Sequence, residues 1–157
     1  MRAPVKAAKP RSPEGNAAIW GPDSLENPHT VEDKQSRVEA MFDAIAPTYE
    51  RVNRLATFGR DAAWRRKAIA AIRPQKGDTV LDVCCGTGDM LRMLAQVQPN
   101  AARLVGVDFS AGMLAGGVYE PTAAPISLLR GDGQRLPLLD STMDAVTCAF
   151  GVRNFQN

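Results

Sequence analysis

Residues 79–89, TVLDVCCGTGD, decide the fold. Apolar residues fill the first part of this stretch, which predicts a short buried strand over 79–84. Gly86 and Gly88 follow in a turn, where the missing Cβ atoms let the backbone bend sharply and approach a ligand closely. Asp89 then opens a predicted helix, and the free amides of its first turn favour a polar or negative group. The stretch therefore predicts a strand, a ligand-binding turn and a helix in direct succession.

Strands and helices alternate downstream of this unit. We predict a helix over 89–97 and further strands over 104–107, 126–129 and 144–150. A short helix, capped by Ser110 and running to Tyr119, is predicted between the second and third strands. Strand, helix, strand in this order is typical of a parallel sheet built from right-handed crossovers. The predicted fold class is therefore α/β, a Rossmann-like doubly wound parallel sheet of which the first four strands are present.

The sequence upstream of the sheet divides into a tail and a helical part. Residues 1–30 mix Pro, Gly, Asn and charge with few apolar residues, which predicts an unstructured tail. Apolar residues then recur at helical spacing over 38–45, and a second helical stretch, 51–72, is interrupted near Gly59. The predicted organisation is a tail followed by one domain, 31–157.

Composition excludes several classes of function. The net charge of +2 is too small to indicate a nucleic-acid partner, and none is predicted. No apolar run approaches the roughly 20 residues of a membrane-spanning helix. The basic N-terminal segment lacks the apolar stretch of a secretory signal, and its prolines would break an amphipathic presequence. We therefore expect a cytoplasmic protein.

Histidine and cysteine usage limits the chemistry further. His29 is the only histidine and lies in the tail, so neither a Ser-His-Asp triad nor a metal site is expected. Three cysteines without framework spacing indicate free thiols in a reducing compartment. Cys84 and Cys85 are interpreted as small packing residues, with redox thiols as the alternative.

Two acids beyond the glycine turn indicate a nucleoside ligand. Asp108 ends the second strand, 22 positions after Gly86. In this fold that position lies beside the glycine turn, where a carboxylate can accept two ribose hydroxyls. Asp132 and Gly133 follow the third strand, and Asp132 either bonds an adenine amino group or is an ordinary turn residue.

The details of the turn select among nucleosides. The third glycine of a dinucleotide fingerprint is missing at Leu91, and the lysine of a phosphate loop is also missing. Asp89, directly after the second glycine, suits a cationic amino-acid ligand better than a pyrophosphate. Together with Asp82 inside the strand, this pattern predicts S-adenosylmethionine as the cofactor.

From about Val38 to its last residue, the chain resembles the ubiquinone/menaquinone biosynthesis C-methyltransferase family. The likeness rests on an opening block, 42–53 (FDAIAPTYERVN), and a closing block, 149–154 (AFGVRN), of which the last five residues are the most specific. Between these two blocks, three further segments match the family: the glycine turn, residues 108–110 (DFS) with 113–114 (ML), and residues 132–133 (DG) with 136–137 (LP). The resemblance implies a class I methyltransferase fold and methylation of a polyprenyl quinol ring by S-adenosylmethionine.

The resemblance also assigns candidate site residues. The cofactor-binding candidates are Asp82, Gly86, Thr87, Gly88, Asp108, Asp132, Gly133 and Ala149, and the catalytic candidates on the substrate side are Tyr49 and Arg153. The chain departs from the family pattern at Glu50, Val52, Thr57 and Asp61, where Asp, Met, Ser and His are usual. Ala149 replaces a serine that contacts the cofactor in some relatives. The family's last portion is absent, so we expect an incomplete domain whose fourth strand is an exposed edge.

The sequence leaves alternatives open for the surface around residues 51–67 and for the methyl acceptor. Between Arg51 and Lys67, six basic residues and one acid are interleaved with Phe58 and Trp64. This pattern favours either peripheral contact with anionic lipid at the inner face of the membrane or a solvated helix face. The alternatives to quinol methylation are another small-molecule methyltransferase and a non-catalytic cofactor-binding fragment. A naphthoquinol or benzoquinol acceptor and the oligomeric state stay open.

Overall fold

Five helices and four strands make up the computed structural model, which describes residues 34–117 and 122–155. The helices are α1 (Lys34–Ile45), α2 (Tyr49–Ala56), α3 (Asp61–Ile72), α4 (Asp89–Val97) and α5 (Ala111–Gly116). The strands are β1 (Thr79–Val83), β2 (Arg103–Asp108), β3 (Ile126–Arg130) and β4 (Ala145–Thr147). Short 3₁₀ turns follow α1 (Ala46–Thr48) and β4 (Val152–Asn154). The predicted tail, 1–30, lies outside the described residues.

The strands form one parallel sheet in the order β3-β2-β1-β4. Strand β1 is central, and its Asp82 lies in register with Gly106 of β2 and Thr147 of β4. On one side of β1 the sheet continues with β2 and then β3, and on the other side of β1 lies β4. Such a reversal leaves a crevice at the carboxyl ends of the strands, where ligands bind in α/β proteins. The sheet confirms the predicted fold class.

Apolar side chains cover both faces of the sheet, as expected for parallel strands. On one face, Leu91 and Leu94 of α4 are fully buried in a core that includes Val80 and Leu104. Burying each such side chain stabilises the fold by about 1.5–3 kcal/mol. A second, smaller core on the opposite face contains Leu81, Val83, Val105 and Val107, against which Leu138, Met143 and Phe155 pack. The sheet is therefore the rigid part on which the crevice is built.

The fourth strand is shorter than the predicted span of 144–150, so that prediction was wrong at its carboxyl end. Strand β4 ends at Thr147, and Phe150 has a left-handed backbone with φ +66°. A bulky residue rarely adopts this conformation without surrounding contacts. Here the Phe150 ring lies against Trp64, with centroids 6.1 Å apart, and below the Arg65 guanidinium. Phe150 therefore packs on α3 rather than extending the sheet.

Other element boundaries follow the sequence closely. Ser110 caps α5 as predicted, since its hydroxyl accepts a hydrogen bond from the Met113 amide at 3.1 Å. The helix ends at Gly116 and not at the predicted Tyr119, because the backbone of Gly117 is extended. Val146 of β4 is 54% exposed, in keeping with the expected edge strand. Across the described ranges, none of the helices has the length and apolar content needed to cross a membrane.

Substituting Gly106 by alanine is expected to destabilise the chain by about 1–3 kcal/mol through overpacking. A Cβ on Gly106 would lie 2.7 Å from Leu91 Cδ1, 2.8 Å from Cys85 Sγ and 3.0 Å from Leu128 Cδ2. Gly116→Ala is the control, because a Cβ there meets no atom closer than 3.8 Å. Urea denaturation measures both free energies of unfolding. Equal stability of the two variants would contradict close packing of α4 on the sheet.

Candidate functional site

A cleft lies at the carboxyl ends of β1 and β2, with α1 and α2 along its side. Of the candidate residues from the sequence, the cleft is lined by Tyr49, Asp82, Gly86, Thr87, Asp108, Asp132, Gly133 and Ala149. Gly88 and Arg153 are not among the lining residues. The structure thus brings eight of the ten candidates, from distant parts of the chain, around one space.

The glycine turn forms the floor of the cleft. Cys84, Gly86 and Gly88 have left-handed backbones with φ of +57°, +55° and +84°, and the two glycines adopt this conformation without a steric penalty. The Gly88 amide donates to the Cys85 carbonyl at 2.9 Å, which closes the turn. Gly88 therefore shapes the turn and starts α4, although it does not line the cleft itself.

Asp108 is the best-oriented carboxylate in the cleft. Its Oδ2 accepts a hydrogen bond from the Gly86 amide at 2.8 Å, and its Oδ1 accepts one from the Ser110 amide at 2.9 Å. The residue is 6% exposed, and burial raises the pKa of its carboxyl while the two amides oppose that shift. Each carboxylate oxygen can accept a second hydrogen bond. The arrangement suits recognition of two neighbouring hydroxyls.

Asp82 lies deeper, beneath the glycine turn. The residue is 2% exposed, and its Oδ1 accepts a hydrogen bond from the Thr147 hydroxyl at 2.7 Å. Burial raises the pKa of the Asp82 carboxyl to about 7, and the Thr147 hydrogen bond opposes this shift. A cationic ligand group near Asp82 would favour its charged form.

A network of ion pairs joins the helical part to the first turn of α4. Arg65 of α3 is buried, and its guanidinium lies 2.5 Å from the Asp61 carboxylate and 3.4 Å from that of Asp89. Arg92 of α4 pairs with Glu50 of α2 at 2.8 Å. Asp61, where the family pattern has histidine, therefore holds a buried arginine against the cleft.

Arg65 lines the cleft but is not among the residues singled out from the sequence. The four-residue spacing between Asp61 and Arg65 is a signal for an ion pair on one helix face. That spacing contains no information about Asp89, which lies on another helix. Only the packing of α3 against α4 shows that Arg65 belongs to the site.

Asp132 stabilises the turn to which it belongs, and it also lines the cleft. Its Oδ1 accepts a hydrogen bond from the Gln134 amide at 2.8 Å, and its backbone bridges to Arg135. Phe155 packs closely on the neighbouring Gly133, where an added Cβ would meet the ring at 2.9 Å. The turn after β3 is therefore held rigidly at the edge of the cleft.

The two catalytic candidates differ in their position relative to the cleft, since Tyr49 lines it and Arg153 does not. The half-buried Tyr49 ring packs edge-to-face on Phe42, with centroids 6.0 Å apart. Burial raises the pKa of the Tyr49 hydroxyl, and the charges of Arg153 and Arg65 oppose that shift. Arg153 is exposed on the 3₁₀ turn after β4. It is therefore near enough to act on Tyr49 electrostatically, although it does not line the cleft.

The described part of the chain contains no group of three or more His, Cys, Asp or Glu side chains that could hold a metal ion. The cleft is lined by buried carboxylates, the glycine turn and aromatic side chains. This set suits a ligand that has ribose hydroxyls and a cationic amino-acid part.

The family model described as the ubiE/COQ5 methyltransferase family matches residues 30–157. The chain belongs to this family. It is 42% identical over 130 residues to the ubiquinone/menaquinone biosynthesis C-methyltransferase UbiE of Geobacter sulfurreducens, covering 80% of this chain and 51% of that protein. It is also 42% identical over 128 residues to the demethylmenaquinone methyltransferase of Porphyromonas gingivalis, covering 79% and 52%. The chain spans about half the length of the curated relatives that it matches.

Solved structures agree with this family assignment at the level of the fold. A chain of the complex between the Haloferax volcanii Trm112 methyltransferase activator and a methyltransferase superposes with a TM-score of 0.56 and 29% identity, covering 68% of this chain and 46% of that one. A methyltransferase from an antibiotic biosynthesis pathway of Anabaena variabilis superposes with a TM-score of 0.53 and 22% identity, covering 61% and 36%. The fold is that of the Rossmann-like class I methyltransferases.

Asp82 is expected to give the chain a pH-dependent stability. Its pKa of about 7 in the fold lies above the ordinary value of 3.8, so the native state retains a proton that the unfolded chain releases. The contribution of this proton to the free energy of unfolding is fully present below about pH 4 and is lost as the pH rises through 7. The stability of Asp82→Asn relative to the parent should therefore increase between about pH 4 and pH 7.

Urea denaturation across this range tests the expectation. Asp140→Asn is the control, because Asp140 is exposed and does not line the cleft. A stability difference between Asp82→Asn and the parent that stays constant with pH would contradict the raised pKa of the buried carboxyl.

Proposed function

We propose that this chain binds S-adenosylmethionine and acts in transferring its methyl group to a ring carbon of a polyprenyl quinol. The observation that carries the proposal is the Asp108 carboxylate, held by the Gly86 and Ser110 amides beside a glycine turn. Membership of the ubiE/COQ5 methyltransferase family supports the reaction class. The names of the two relatives, which specify ubiquinone/menaquinone biosynthesis and demethylmenaquinone methylation, support a quinol acceptor.

The cleft residues fit the parts of this cofactor. Asp108 would accept the ribose hydroxyls, and the turn at Asp132 and Gly133 would face the adenine. The glycine turn and Asp82 would hold the amino-acid end, whose ammonium group compensates the buried carboxyl. Ala149 supplies a contact surface without a hydroxyl. When bound, the cofactor supplies an electrophilic methyl group on its sulfonium.

The remaining residues act on the acceptor. A ring carbon of the quinol becomes nucleophilic when a neighbouring hydroxyl loses its proton. Arg153 would stabilise the resulting phenolate directly or position a water, and Tyr49 would border the ring. Phe42 packs edge-to-face on both Tyr49 and Phe109 and so shields this side of the cleft from water. Holding methyl and carbon in line supplies much of the rate enhancement.

Cofactor binding is the first property to measure. Calorimetric titration of the chain with S-adenosylmethionine should show binding, and titration with NAD should show none. Asp108→Ala should weaken S-adenosylmethionine binding by about 100-fold, since it removes hydrogen bonds to a charged group worth about 1.5–3 kcal/mol each. Asp140→Asn should bind like the parent. Unchanged affinity of Asp108→Ala, or binding of NAD, would contradict the proposed site.

Methyl-transfer assays separate the proposal from its alternatives. With demethylmenaquinol and the corresponding ubiquinone-pathway benzoquinol as acceptors, transfer to either supports quinol methylation and identifies the ring. Tyr49→Phe and Arg153→Gln should reduce turnover while leaving cofactor affinity unchanged. Cofactor binding without transfer to either quinol would favour a non-catalytic binding chain, and transfer only to a small non-quinone acceptor would favour another methyltransferase.

A surface that is both basic and apolar lies around the turn between α2 and α3. It supports contact with anionic lipid, and such contact would bring the chain to the bilayer that contains a polyprenyl quinol. Phe58 is 91% exposed and Leu55 78% exposed, at and beside the turn between α2 and α3. The exposed basic residues on these two helices and their turn are Arg51, Arg54, Arg60, Arg66 and Lys67. Arg65, counted with them in the sequence, is buried in the ion-pair network. We propose that the apolar turn enters an anionic membrane surface while the basic residues bind lipid phosphates.

Vesicle sedimentation tests this contact. The chain should bind vesicles of phosphatidylglycerol and phosphatidylcholine at low salt, bind pure phosphatidylcholine weakly, and dissociate as salt rises. Phe58→Ser combined with Leu55→Ser should reduce binding several-fold. Val97→Ser, which alters an apolar residue on α4 that is 59% exposed, should not. Absence of binding to the anionic vesicles would indicate a solvated helix face instead.

A further inference from the structure

Two of the three cysteines meet at the carboxyl ends of neighbouring strands. In the register between β1 and β4, Asp82 lies beside Thr147. Cys148 is the next residue after Thr147, and Cys84 is the second after Asp82. Adjacent strands lie about 4.8 Å apart, which is within the range of about 4.4–6.8 Å that separates the Cα atoms of a disulfide. Both cysteines lie just past the paired ends of these strands and are offset by one residue in register, so the positions of their sulfurs decide whether they can bond.

Gly151 shows that the two side chains point toward each other. A Cβ added at Gly151 would lie 2.6 Å from Cys84 Sγ and 3.1 Å from Cys148 Sγ. Both sulfurs thus pack around the same point, in a space that remains open only because residue 151 is glycine. Cys84 and Gly151 also line the cofactor cleft. Cys84 consequently lies at the floor of the site, and Cys148 lies next to it outside the lining.

The surroundings of the two thiols make them unequal. A hydrogen bond from the Cys84 thiol, helped by the amides of Gly151 and Val152, lowers the pKa of Cys148 against the opposing effect of burial. The same hydrogen bond, together with burial, raises the pKa of Cys84. Cys148 is therefore the more acidic thiol of the pair and Cys84 the less acidic one. The thiolate is the reactive form of cysteine, so Cys148 is the more reactive of the two.

Cys85 behaves as the sequence interpretation expects of a packing residue. It is buried in the core beneath α4, where its sulfur contacts Gly106 on the central part of the sheet. Burial raises the pKa of its thiol. Cys85 therefore provides an internal control for the reactivity of the other two.

We propose that Cys84 and Cys148 form a hydroperoxide-reactive dithiol at the floor of the cofactor cleft, which oxidises to a disulfide. The Cys148 thiolate attacks one peroxide oxygen, the O–O bond breaks, and the sulfur becomes a sulfenic acid as an alcohol or water leaves. The Cys84 sulfur then attacks the sulfenic sulfur, forms the S–S bond and releases water. Two thiols and one hydroperoxide become a disulfide, an alcohol and a water.

Oxidation of this pair changes the cofactor cleft. Cys84 directly precedes Cys85 and Gly86 in the turn that forms the floor. An S–S bond of about 2.05 Å is much shorter than a contact between two thiols, so its formation draws this turn toward β4. Loss of one hydrogen bond to the cofactor corresponds to about tenfold weaker binding. This consequence rests on the proposed function, whereas disulfide formation does not.

The experiment treats the folded chain with hydrogen peroxide, then denatures it, alkylates it with iodoacetamide and measures its intact mass. The parent should lose two of its three alkylation sites and regain them after reduction with dithiothreitol. Cys85→Ala should lose both of its sites at the same rate. Cys84→Ala should form no disulfide and should instead give a sulfenic acid on Cys148 that dimedone traps. Cys148→Ala should give neither product.

Three outcomes would overturn the dithiol: full alkylation of the treated parent, a disulfide mapped to Cys85, or equal oxidation rates in the folded and the urea-unfolded chain. Titration with S-adenosylmethionine before and after oxidation tests the link to the cleft. About tenfold weaker binding supports it, and unchanged affinity of the disulfide form overturns it. Disulfide formation in a chain whose reduced form binds no cofactor would sustain the dithiol and contradict the proposed function.

Discussion

The hydrogen bonds from the Gly86 and Ser110 amides to the Asp108 carboxylate are the interaction on which the site depends. They join the turn after β1 to the start of α5, and they orient a buried acid that would otherwise be costly to hold. Ser110 extends the connection, because its hydroxyl donates to Asp43 of α1 at 2.5 Å. The Gly112 amide donates to the same Asp43 oxygen at 2.9 Å. Two carboxylates, Asp108 and Asp43, thus couple the glycine turn to the helix that borders the cleft.

Buried charge is the second constraint, and it links the fold to its ligand. Asp82 and Asp108 lie near the carboxyl ends of adjacent strands, where burial and, to a smaller extent, the charge of Asp108 raise the pKa of Asp82. Arg65 is the buried cation on the same side, but it is occupied by Asp61 and Asp89. A ligand that brings its own ammonium group would compensate this excess of buried acid. Because such a ligand binds only the folded chain, its binding also stabilises the fold.

Two departures from the family pattern, Asp61 and Glu50, have local contacts in the structure. Asp61 replaces a histidine, and its carboxylate accepts hydrogen bonds from Arg65 and Thr57 that lower its pKa against the effect of burial. This carboxylate is therefore a partner of the buried arginine. Glu50, where the resemblance leads one to expect aspartate, pairs with Arg92 of α4. Through Arg65 and Arg92, both acids contribute to the attachment of the helical part to the first turn of α4.

The sequence by itself determined the α/β fold, the glycine turn and the positions of Asp108 and Ser110. These follow from local rules, since hydrophobic periodicity and glycine placement act over a few residues. Only the tertiary structure decided that Arg65 reaches the cleft, that Cys84 meets Cys148, and that β4 ends before Phe150. Each of these depends on contacts between residues that are distant along the chain, and on burial that packing alone creates. Local patterns carry no information on such contacts, because the same side chain is a solvated charge or a buried partner according to what packs against it.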